Sequence, residues 1–145
     1  MLHIAVTGLL AVPYVARAMT PDEAISTATK KLGLTDVSLD YRDLYGQNIR
    51  AALLDGTRAA IHLDRQGQIN EVEGYSKRGF PEQSVRMLIP TGILQNPSYP
   101  KGTYFRKLDF KDGYKVEIEG YSLDSHRFKA EFRHDGKLLE LKKEQ

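Results

Sequence analysis

The chain contains no cysteine among its 145 residues. This absence excludes disulfide bonds, thiolate metal sites, a cysteine nucleophile and a lipid-modified N-terminal cysteine. A dominant charge is also lacking, because 21 basic and 19 acidic residues are spread along the chain and leave a net charge of +2. A balance this even does not favour nucleic acid, which binds to a concentrated basic face. With 41% hydrophobic and 28% charged residues, the composition is that of a globular protein.

The apolar run at the N-terminus is too short to cross a membrane. It extends from Ile4 to Val12, whereas a spanning helix needs roughly 20 apolar residues. Pro13 ends the run, and Ala16-Arg17-Ala18 supplies small residues at the spacing of a signal cleavage site. No Lys or Arg precedes the run, which departs from the usual signal peptide. Residues 1–18 are predicted to be a signal peptide, which implies a periplasmic or secreted protein; a buried N-terminal element is the alternative.

Two helices are predicted. The first begins with a capping box, in which Thr20 caps the amide of Glu23 and proline occupies the first helical position. Gly33 ends this helix, whose apolar stripe consists of Ala24, Ile25, Ala28 and Leu32. The second helix is shorter and ends before Pro90. Its apolar face consists of Val85, Leu88 and Ile89.

The other segments alternate apolar and polar residues, which predicts antiparallel strands with one buried and one solvated face. The residues expected on the apolar faces are Val37, Leu39, Tyr41, Ile49, Ala51, Leu53, Ala59, Ile61, Leu63, Tyr114, Val116, Ile118, Phe128, Ala130, Phe132, Leu139 and Leu141. Hairpin turns are predicted at Asp55-Gly56, Gln66-Gly67, Asp112-Gly113 and Asp135-Gly136.

The two halves of the chain resemble each other. Residues 58–67 align with residues 127–136, with arginine and glycine at both ends of the match. This predicts a duplicated helix-plus-meander unit over residues 19–75 and 76–145, although chance similarity between amphipathic hairpins is the alternative. Because one unit would bury little apolar surface, we expect an α+β fold. In it, the two repeats share one curved antiparallel sheet with the helices packed on one face.

The chain resembles the PepSY-like domains of secreted and periplasmic bacterial proteins. The matching residues are the helix start Thr20-Pro21-Asp22-Glu23-Ala24, the Asp55-Gly56 hairpin, and the strand turns at 64–69 and 133–139. The resemblance covers about residues 20 to 142. The chain departs from the family pattern at residues 90–105, a stretch that is longer and richer in proline than the matching part of the first half. It implies binding to peptidases or other proteins, and it supplies no catalytic residues.

The sequence contains few candidate catalytic or metal-binding residues. His62 and Asp64 lie two apart on one predicted strand, where they could bind a metal ion or form a hydrogen-bonded surface pair. We favour the surface pair. His126 and His134 lie in or beside turns without a ligand spacing, and no serine has the context of a nucleophile. Since phosphate-binding glycine loops are also absent, we predict no cofactor, no metal and no enzymatic activity.

The long connection from Thr91 to Phe105 is the predicted binding segment. Its two internal prolines reduce the entropy lost on binding, and its apolar side chains could anchor a partner. The predicted partner-binding residues are Ile93, Leu94, Tyr99, Tyr104 and Phe105. Alternatively, Ile93 and Leu94 extend into the core and leave Tyr99 and Tyr104 as lids over the sheet edge. Further amphipathic surface suited to protein contact is supplied by Tyr41, Tyr45, Tyr75 and Tyr121.

These observations predict a non-enzymatic, periplasmic or secreted protein-binding module whose sheet face and proline-rich segment engage a protein, such as a peptidase. A module that binds a small ligand or a metal ion on the concave sheet face, using His62 and Asp64, is the second hypothesis. A hydrolase or isomerase is the third. It would need an acid or histidine inside the concavity, where the strand phase places Ile61 and Leu63 instead.

Overall fold

A computed structural model describes residue 8 and residues 18–144 of the chain. The predicted signal peptide therefore lies almost wholly outside the described residues. The elements are helix α1 (Pro21–Leu32), strands β1 (Thr35–Asp43), β2 (Gly46–Ala52), β3 (Arg58–Asp64), β4 (Ile69–Gly74) and β5 (Phe80–Pro81), 3₁₀ turns at Glu82–Ser84 and Arg86–Leu88, helix α2 (Thr91–Leu94), and strands β6 (Tyr104–Lys111), β7 (Lys115–Tyr121), β8 (Arg127–Arg133) and β9 (Leu138–Lys143). Within the described part, no helix is both long and apolar enough to cross a membrane.

Helix α1 begins and ends where the sequence predicts. The hydroxyl oxygen of Thr20 accepts a hydrogen bond from the amide of Glu23 at 3.1 Å, which satisfies one of the free donors of the first turn. Gly33 follows the last turn with a left-handed φ of 62°, a conformation that costs glycine little. The side chains that α1 buries are Ala24, Ala28 and Leu32.

The strands of the described residues form one open, antiparallel sheet in the order β1-β2-β3-β4-β6-β7-β8-β9, with β5 paired to β6. The two halves of the chain meet at the centre, where Val72 of β4 lies opposite Leu108 of β6. The predicted α+β class and the single antiparallel sheet are confirmed, and the fold is mainly β.

One hydrophobic core covers one face of the sheet. Alternate residues of β3 and β8 are buried, and α1 packs in the same cluster as the segment from Phe80 to Tyr99. We call this side the packed face. Ile61 and Leu63 point into it with no exposed surface, as the strand phase predicts.

The prediction of a second helix before Pro90 is wrong. Residues 82–84 and 86–88 form separate 3₁₀ turns, and both Pro81 and Ile89 have extended backbone. Pro90 disfavours helical geometry at Ile89, and the few residues between two prolines are too short to recover the cost of helix nucleation. The next helical turn is α2, inside the predicted loop. The second half is thus not built like the first, and the duplication remains a prediction.

Strand β1 also differs from its predicted pattern. Leu39 and Tyr41 are each 48% exposed, and the pairing with β2 shifts register between them. Val37 packs against the core and Leu39 lies opposite the buried Ile49, where the edge position leaves it exposed. The second of the two register shifts in β1 places Tyr41 opposite the polar Asn48. Such irregularities also discourage pairing with a further strand.

Candidate functional site

The face of the sheet opposite the core is charged. We call it the outer face, and its central residues are Asn48, Arg50, Ala60, His62, Glu71, Glu73, Lys107, Asp109, Glu117, Glu119, Lys129 and Glu131. Five carboxylates lie opposite one another on consecutive strands β4, β6, β7, β8 and β9. This carboxylate row consists of Glu71, Asp109, Glu117, Glu131 and Glu140. Like charges placed side by side repel, so the row requires compensating cations.

Lysines on both sides of the carboxylate row supply these cations. The Nζ atom of Lys111 lies 2.9 Å from Glu117, which Lys129 approaches at 3.7 Å from the other side. Burial by itself would raise the pKa of Glu117, but the hydrogen bond and charge of Lys111, together with the charge of Lys129, hold it below its usual value. At Glu71 burial prevails over Lys107 and raises the pKa, helped by the neighbouring carboxylates of Asp109 and Glu73.

Tyrosines gather at one end of the outer face, and we call this region the tyrosine end; its tyrosines are Tyr75, Tyr104 and Tyr121. Tyr104 lies directly opposite Tyr121, and Tyr75 and Tyr104 are 51% and 40% exposed. The guanidinium carbon of Arg50 lies 5.7 Å from the ring centre of Tyr75, and that of Arg127 lies 6.0 Å from the ring centre of Tyr121. These distances are within the range of cation–π attraction, which orients the rings.

Three adjoining recesses cross the tyrosine end. One of about 510 Å³ is lined by Lys77, Arg78, Tyr104, Tyr121, Ser122, Leu123 and Ser125. A second, of about 330 Å³, shares Lys77 with the first and includes Tyr75. The third, of about 310 Å³, shares Tyr121 with the first and Arg106 with the second. Because neighbouring recesses share lining residues, the three form one depressed surface across several strands.

Four of the five predicted partner-binding residues are buried or partly buried in the core, and the fifth is exposed. Ile93, Phe105 and Tyr99 are 0%, 0% and 7% exposed, and Leu94 is partly buried against the same core. These four hold the segment on the packed face, as the alternative interpretation expects for Ile93 and Leu94. Tyr104 is the exposed member of the set and lies on the outer face. A role of the other four in binding remains a prediction.

A buried carboxylate, which the sequence analysis missed, fixes this segment. Glu82 has no exposed surface, and its Oε2 atom accepts hydrogen bonds from Tyr99 Oη and Arg86 Nε, both at 2.7 Å. Its Oε1 atom accepts from Arg86 Nη2 at 2.5 Å and from the amide of Gly102 at 2.9 Å. The four-residue spacing of Glu82 and Arg86 was the available signal. Tyr99 is therefore oriented toward the core rather than toward solvent.

The Glu82 network makes stability depend on pH at both extremes. Burial would raise the pKa of Glu82, but the hydrogen bonds from Arg86, Gly102 and Tyr99 outweigh it and lower the pKa from 4.5. Its stabilisation is therefore present above about pH 4.5 and is lost as the pH falls through the lowered value. Burial and the Glu82 carboxylate raise the pKa of Tyr99 above 10. The stabilisation from Tyr99 is therefore present below pH 10 and is lost as the pH rises further.

Denaturant titrations across this pH range test the two contributions. We expect Tyr99→Phe to remove part of the alkaline loss of stability, because Phe cannot ionise. The acid-side loss should become smaller but persist, because Arg86 and Gly102 still donate hydrogen bonds to Glu82. An identical alkaline loss in Tyr99→Phe and the unaltered protein would contradict the role given to Tyr99.

A larger recess lies between this segment and strands β8 and β9. It measures about 870 Å³, and its lining includes Pro97, Tyr99, Phe128 and Leu141. We call it the loop groove. Its apolar floor and its size are those of small-molecule sites.

One wall of the loop groove carries a serine, an aspartate and a histidine. Asp124 accepts a hydrogen bond from Ser122 Oγ, and its Oδ2 atom lies 3.2 Å from His126 Nδ1. The hydrogen bond from Ser122, with the charge of His126, lowers the pKa of Asp124. In a catalytic triad the histidine stands between serine and aspartate. Here the aspartate stands between the other two, so the imidazole cannot take the proton from Ser122.

His62 and Asp64 do not converge on a common point. The Nδ1 atom of His62 lies 2.6 Å from Oδ1 of Asn70, on the outer face. One oxygen of Asp64 accepts from the amides of Gln66 and Gln68, both at 2.9 Å, and so stabilises its own turn. Among the described residues, no three histidine or carboxylate side chains are arranged to hold a metal ion. Each side chain is hydrogen-bonded to other residues, so the predicted hydrogen bond between His62 and Asp64 is not formed.

Two solved structures are similar to this chain. No protein-family model and no curated protein matches it. A DUF2874 family protein from Bacteroides uniformis is 14% identical, with 89% of this chain and 90% of that chain covered and a TM-score of 0.37. A BLIP-like protein from Bacteroides fragilis is 16% identical, with 86% of each chain covered and a TM-score of 0.35. Both likenesses span most of each chain and are distant by identity and by TM-score.

Proposed function

We propose that this chain is a non-enzymatic protein-binding module of the periplasmic or secreted space. It is of the PepSY-like kind, and its binding surface is the tyrosine end of the outer face. The exposed tyrosines Tyr75 and Tyr104, together with the half-buried Tyr121 beside Arg127, carry the proposal. Tyrosine and arginine are enriched at the energetically dominant positions of protein interfaces. A peptidase is the first partner class to test, because the sequence resembles peptidase propeptide domains.

The rigidity of this surface supports the proposal. Tyr104 of β6 pairs directly with Tyr121 of β7, and β6 is held on its other side by β4 at residues 107–109. A side chain on a paired strand loses less freedom on binding than one on a loop. The surface is therefore organised before a partner arrives, and its recesses can accept protruding side chains.

The non-enzymatic part of the proposal rests on geometry. The order Ser122, Asp124, His126 along the hydrogen bonds does not activate a nucleophile, and the His62 ring is engaged by Asn70. The carboxylate row is neutralised by ion pairs with lysines, such as that of Glu117 with Lys111. A binding role does not require any of these side chains to act as a nucleophile or to transfer a proton.

Capture of a partner by residues 19–145 tests the proposal. We expect the double variant Tyr104→Ala/Tyr121→Ala to weaken binding by about thirtyfold or more, since truncated hot-spot residues typically cost about 2 kcal/mol. The matched control is Leu44→Ala/Tyr45→Ala, which removes two exposed apolar side chains, 82% and 77% accessible, from the β1–β2 turn. The measurement is the affinity of each form for the captured protein.

The outcomes separate three interpretations. Loss of affinity in the first variant alone supports the tyrosine end as the binding surface, and lowered peptidase activity of the captured protein supports an inhibitor. Equal affinity of both variants contradicts the proposal. If no protein is captured specifically, the loop groove and small-ligand screens become the leading alternative, because the size and apolar floor of the groove suit a small molecule.

A further inference from the structure

Three cations at the tyrosine end have no ionic partner. Among residues 18–144, the side chains of Lys77, Arg78 and Arg106 form no ion pair with a carboxylate. This sets them apart from the lysines beside the carboxylate row, which are within 4 Å of one or more acids. Arg106 lines two of the three recesses, and Lys77 and Arg78 line the largest of them.

A β-bulge places Arg106 on this surface. Phe105 pairs with Gly120 and Lys107 pairs with Glu119, so Arg106 is an extra residue in β6 without a partner in β7. A bulge of this kind breaks the alternation of faces and redirects a side chain. As a result the adjacent residues Arg106 and Lys107 both reach the outer face, where a regular strand would present only one of them.

The turn that carries Lys77 and Arg78 is held against the same bulge. Gly79 has a φ of 76°, and a Cβ atom at this position would lie 2.3 Å from the carbonyl oxygen of Phe105. The glycine therefore allows the turn to approach the backbone of β6 closely. This approach fixes the two cations of the turn beside Tyr104.

Cations outnumber carboxylates in the recesses of the tyrosine end, which are lined by six cations and three carboxylates. The cations are Lys77, Arg78, Arg106, Arg127, Lys129 and Lys142. The carboxylates are Glu73, Glu119 and Glu144. Lys129 and Lys142 pair with Glu117 and Glu140 outside the recesses, and Arg127 pairs with Glu144, which leaves Lys77, Arg78 and Arg106 without an ionic partner among the described residues. The local surplus is the charge that a negatively charged partner would complement.

We propose that the tyrosine end binds an acidic segment of a polypeptide; this rests on the proposed function and names its partner class. Carboxylates of the segment pair with Lys77, Arg78 and the planar guanidinium of Arg106, which suits bidentate contact. Its apolar side chains pack on Tyr104, Tyr121 and Leu123, of which Leu123 is 78% exposed. Mixed acidic and apolar recognition explains why unpaired cations and exposed rings share these recesses.

A polypeptide suits this surface better than a nucleic acid. The carboxylate row lies next to the tyrosine end on the outer face. Its pair Glu71 and Asp109 is two residues along β4 and β6 from the pair Glu73 and Lys107. A phosphate backbone continuing in that direction would be repelled. An acidic segment of limited length avoids the row, and basic residues beside the acidic segment would be attracted to it.

A nuclear magnetic resonance titration with a short peptide of alternating glutamate and serine tests the inference. We expect fast-exchange shifts of the backbone amides of Lys77, Arg78 and Arg106, with an affinity that falls as salt is raised to about 0.15 M. The triple variant Lys77→Gln/Arg78→Gln/Arg106→Gln should weaken binding about tenfold, as the loss of three exposed charge pairs would. The matched control, Lys30→Gln/Arg65→Gln/Lys137→Gln, removes the same charge from exposed positions elsewhere and should change the affinity little.

Equal weakening in the two triple variants would overturn the inference, because it would indicate attraction by net charge alone. Tighter binding of a single-stranded DNA oligonucleotide to the same amides would also overturn it. If the peptide does not bind but a captured protein still depends on Tyr104 and Tyr121, the acidic-segment inference fails and the proposed function stands. If neither the peptide nor a protein depends on this surface, both fail.

Discussion

Replacing Glu82 with alanine is expected to lower the free energy of unfolding by about 3 kcal/mol. The substitution removes the acceptor of all four hydrogen bonds and leaves the Tyr99 hydroxyl without its partner in a buried position. The guanidinium of Arg86 loses its counter-charge, but its side chain is 34% exposed and water can solvate it. This solvation keeps the expected loss at the lower end of the range for broken buried ion pairs.

Gln83→Ala is the matched control, because Gln83 lies in the same 3₁₀ turn with its side chain in solvent. It should change the unfolding free energy by less than about 0.5 kcal/mol. Denaturant unfolding of both variants gives the comparison. A loss for Glu82→Ala no larger than that for Gln83→Ala would mean that the carboxylate does not fix the segment.

Replacing Phe105 with alanine is expected to cost about 3–5 kcal/mol of unfolding free energy. Phe105 has no exposed surface and lies edge-on to three rings, with centre distances of 6.3 Å to Phe80, 6.4 Å to Tyr99 and 6.5 Å to Phe128. Truncation leaves a cavity where β6 meets the segment that covers it. The midpoint of urea unfolding should fall accordingly.

The adjacent residue provides the control. Tyr104→Ala removes a ring that is 40% exposed on the outer face, so its effect on stability should be small while its effect on partner binding is large. The two neighbours thus separate folding from binding. If Phe105→Ala were as stable as Tyr104→Ala, the assignment of Phe105 to the core would be wrong.

Local signals made the first half of the fold predictable. The bounds of α1 are set by residues at its own ends, namely the Thr20 cap, the proline after it and Gly33. These signals do not depend on contacts with the rest of the chain. The hairpin turns were predictable for the same reason, since a glycine with positive φ is needed at positions such as Gly67 and Gly136. The antiparallel sheet then follows from short connections between alternating strands.

The second half depends on contacts that a linear pattern does not contain. The apolar residues Val85 and Ile89 suggested a helix, but their burial comes from 3₁₀ turns held by Glu82, whose partners Tyr99 and Gly102 are distant in sequence. Similarly, α2 docks on the β8–β9 turn, where Gly92 and Gly136 meet so closely that a Cβ on Gly136 would lie 2.3 Å from the Gly92 carbonyl oxygen. Such packing decides which residues of the segment remain in solvent.

The candidate site was predictable in part. Tyr75, Tyr104 and Tyr121 are each conspicuous in the sequence, but only strand pairing brings them to one end of one face. Arg106 could not be assigned to that face by alternation, because the bulge reverses the phase of β6 at that residue. The consecutive basic residues Arg106 and Lys107 were a weak signal of it.

Site-specific photocrosslinking tests most directly whether the outer face is the binding surface. One form of the protein carries a benzophenone side chain in place of Tyr104 at the tyrosine end, and another carries it in place of Leu141 in the loop groove. Leu141 is 39% exposed, close to the 40% of Tyr104, so the two probes are comparably accessible. We predict a crosslink to a protein partner from position 104 and none from position 141. A crosslink from position 141 alone would contradict the account and assign binding to the loop groove.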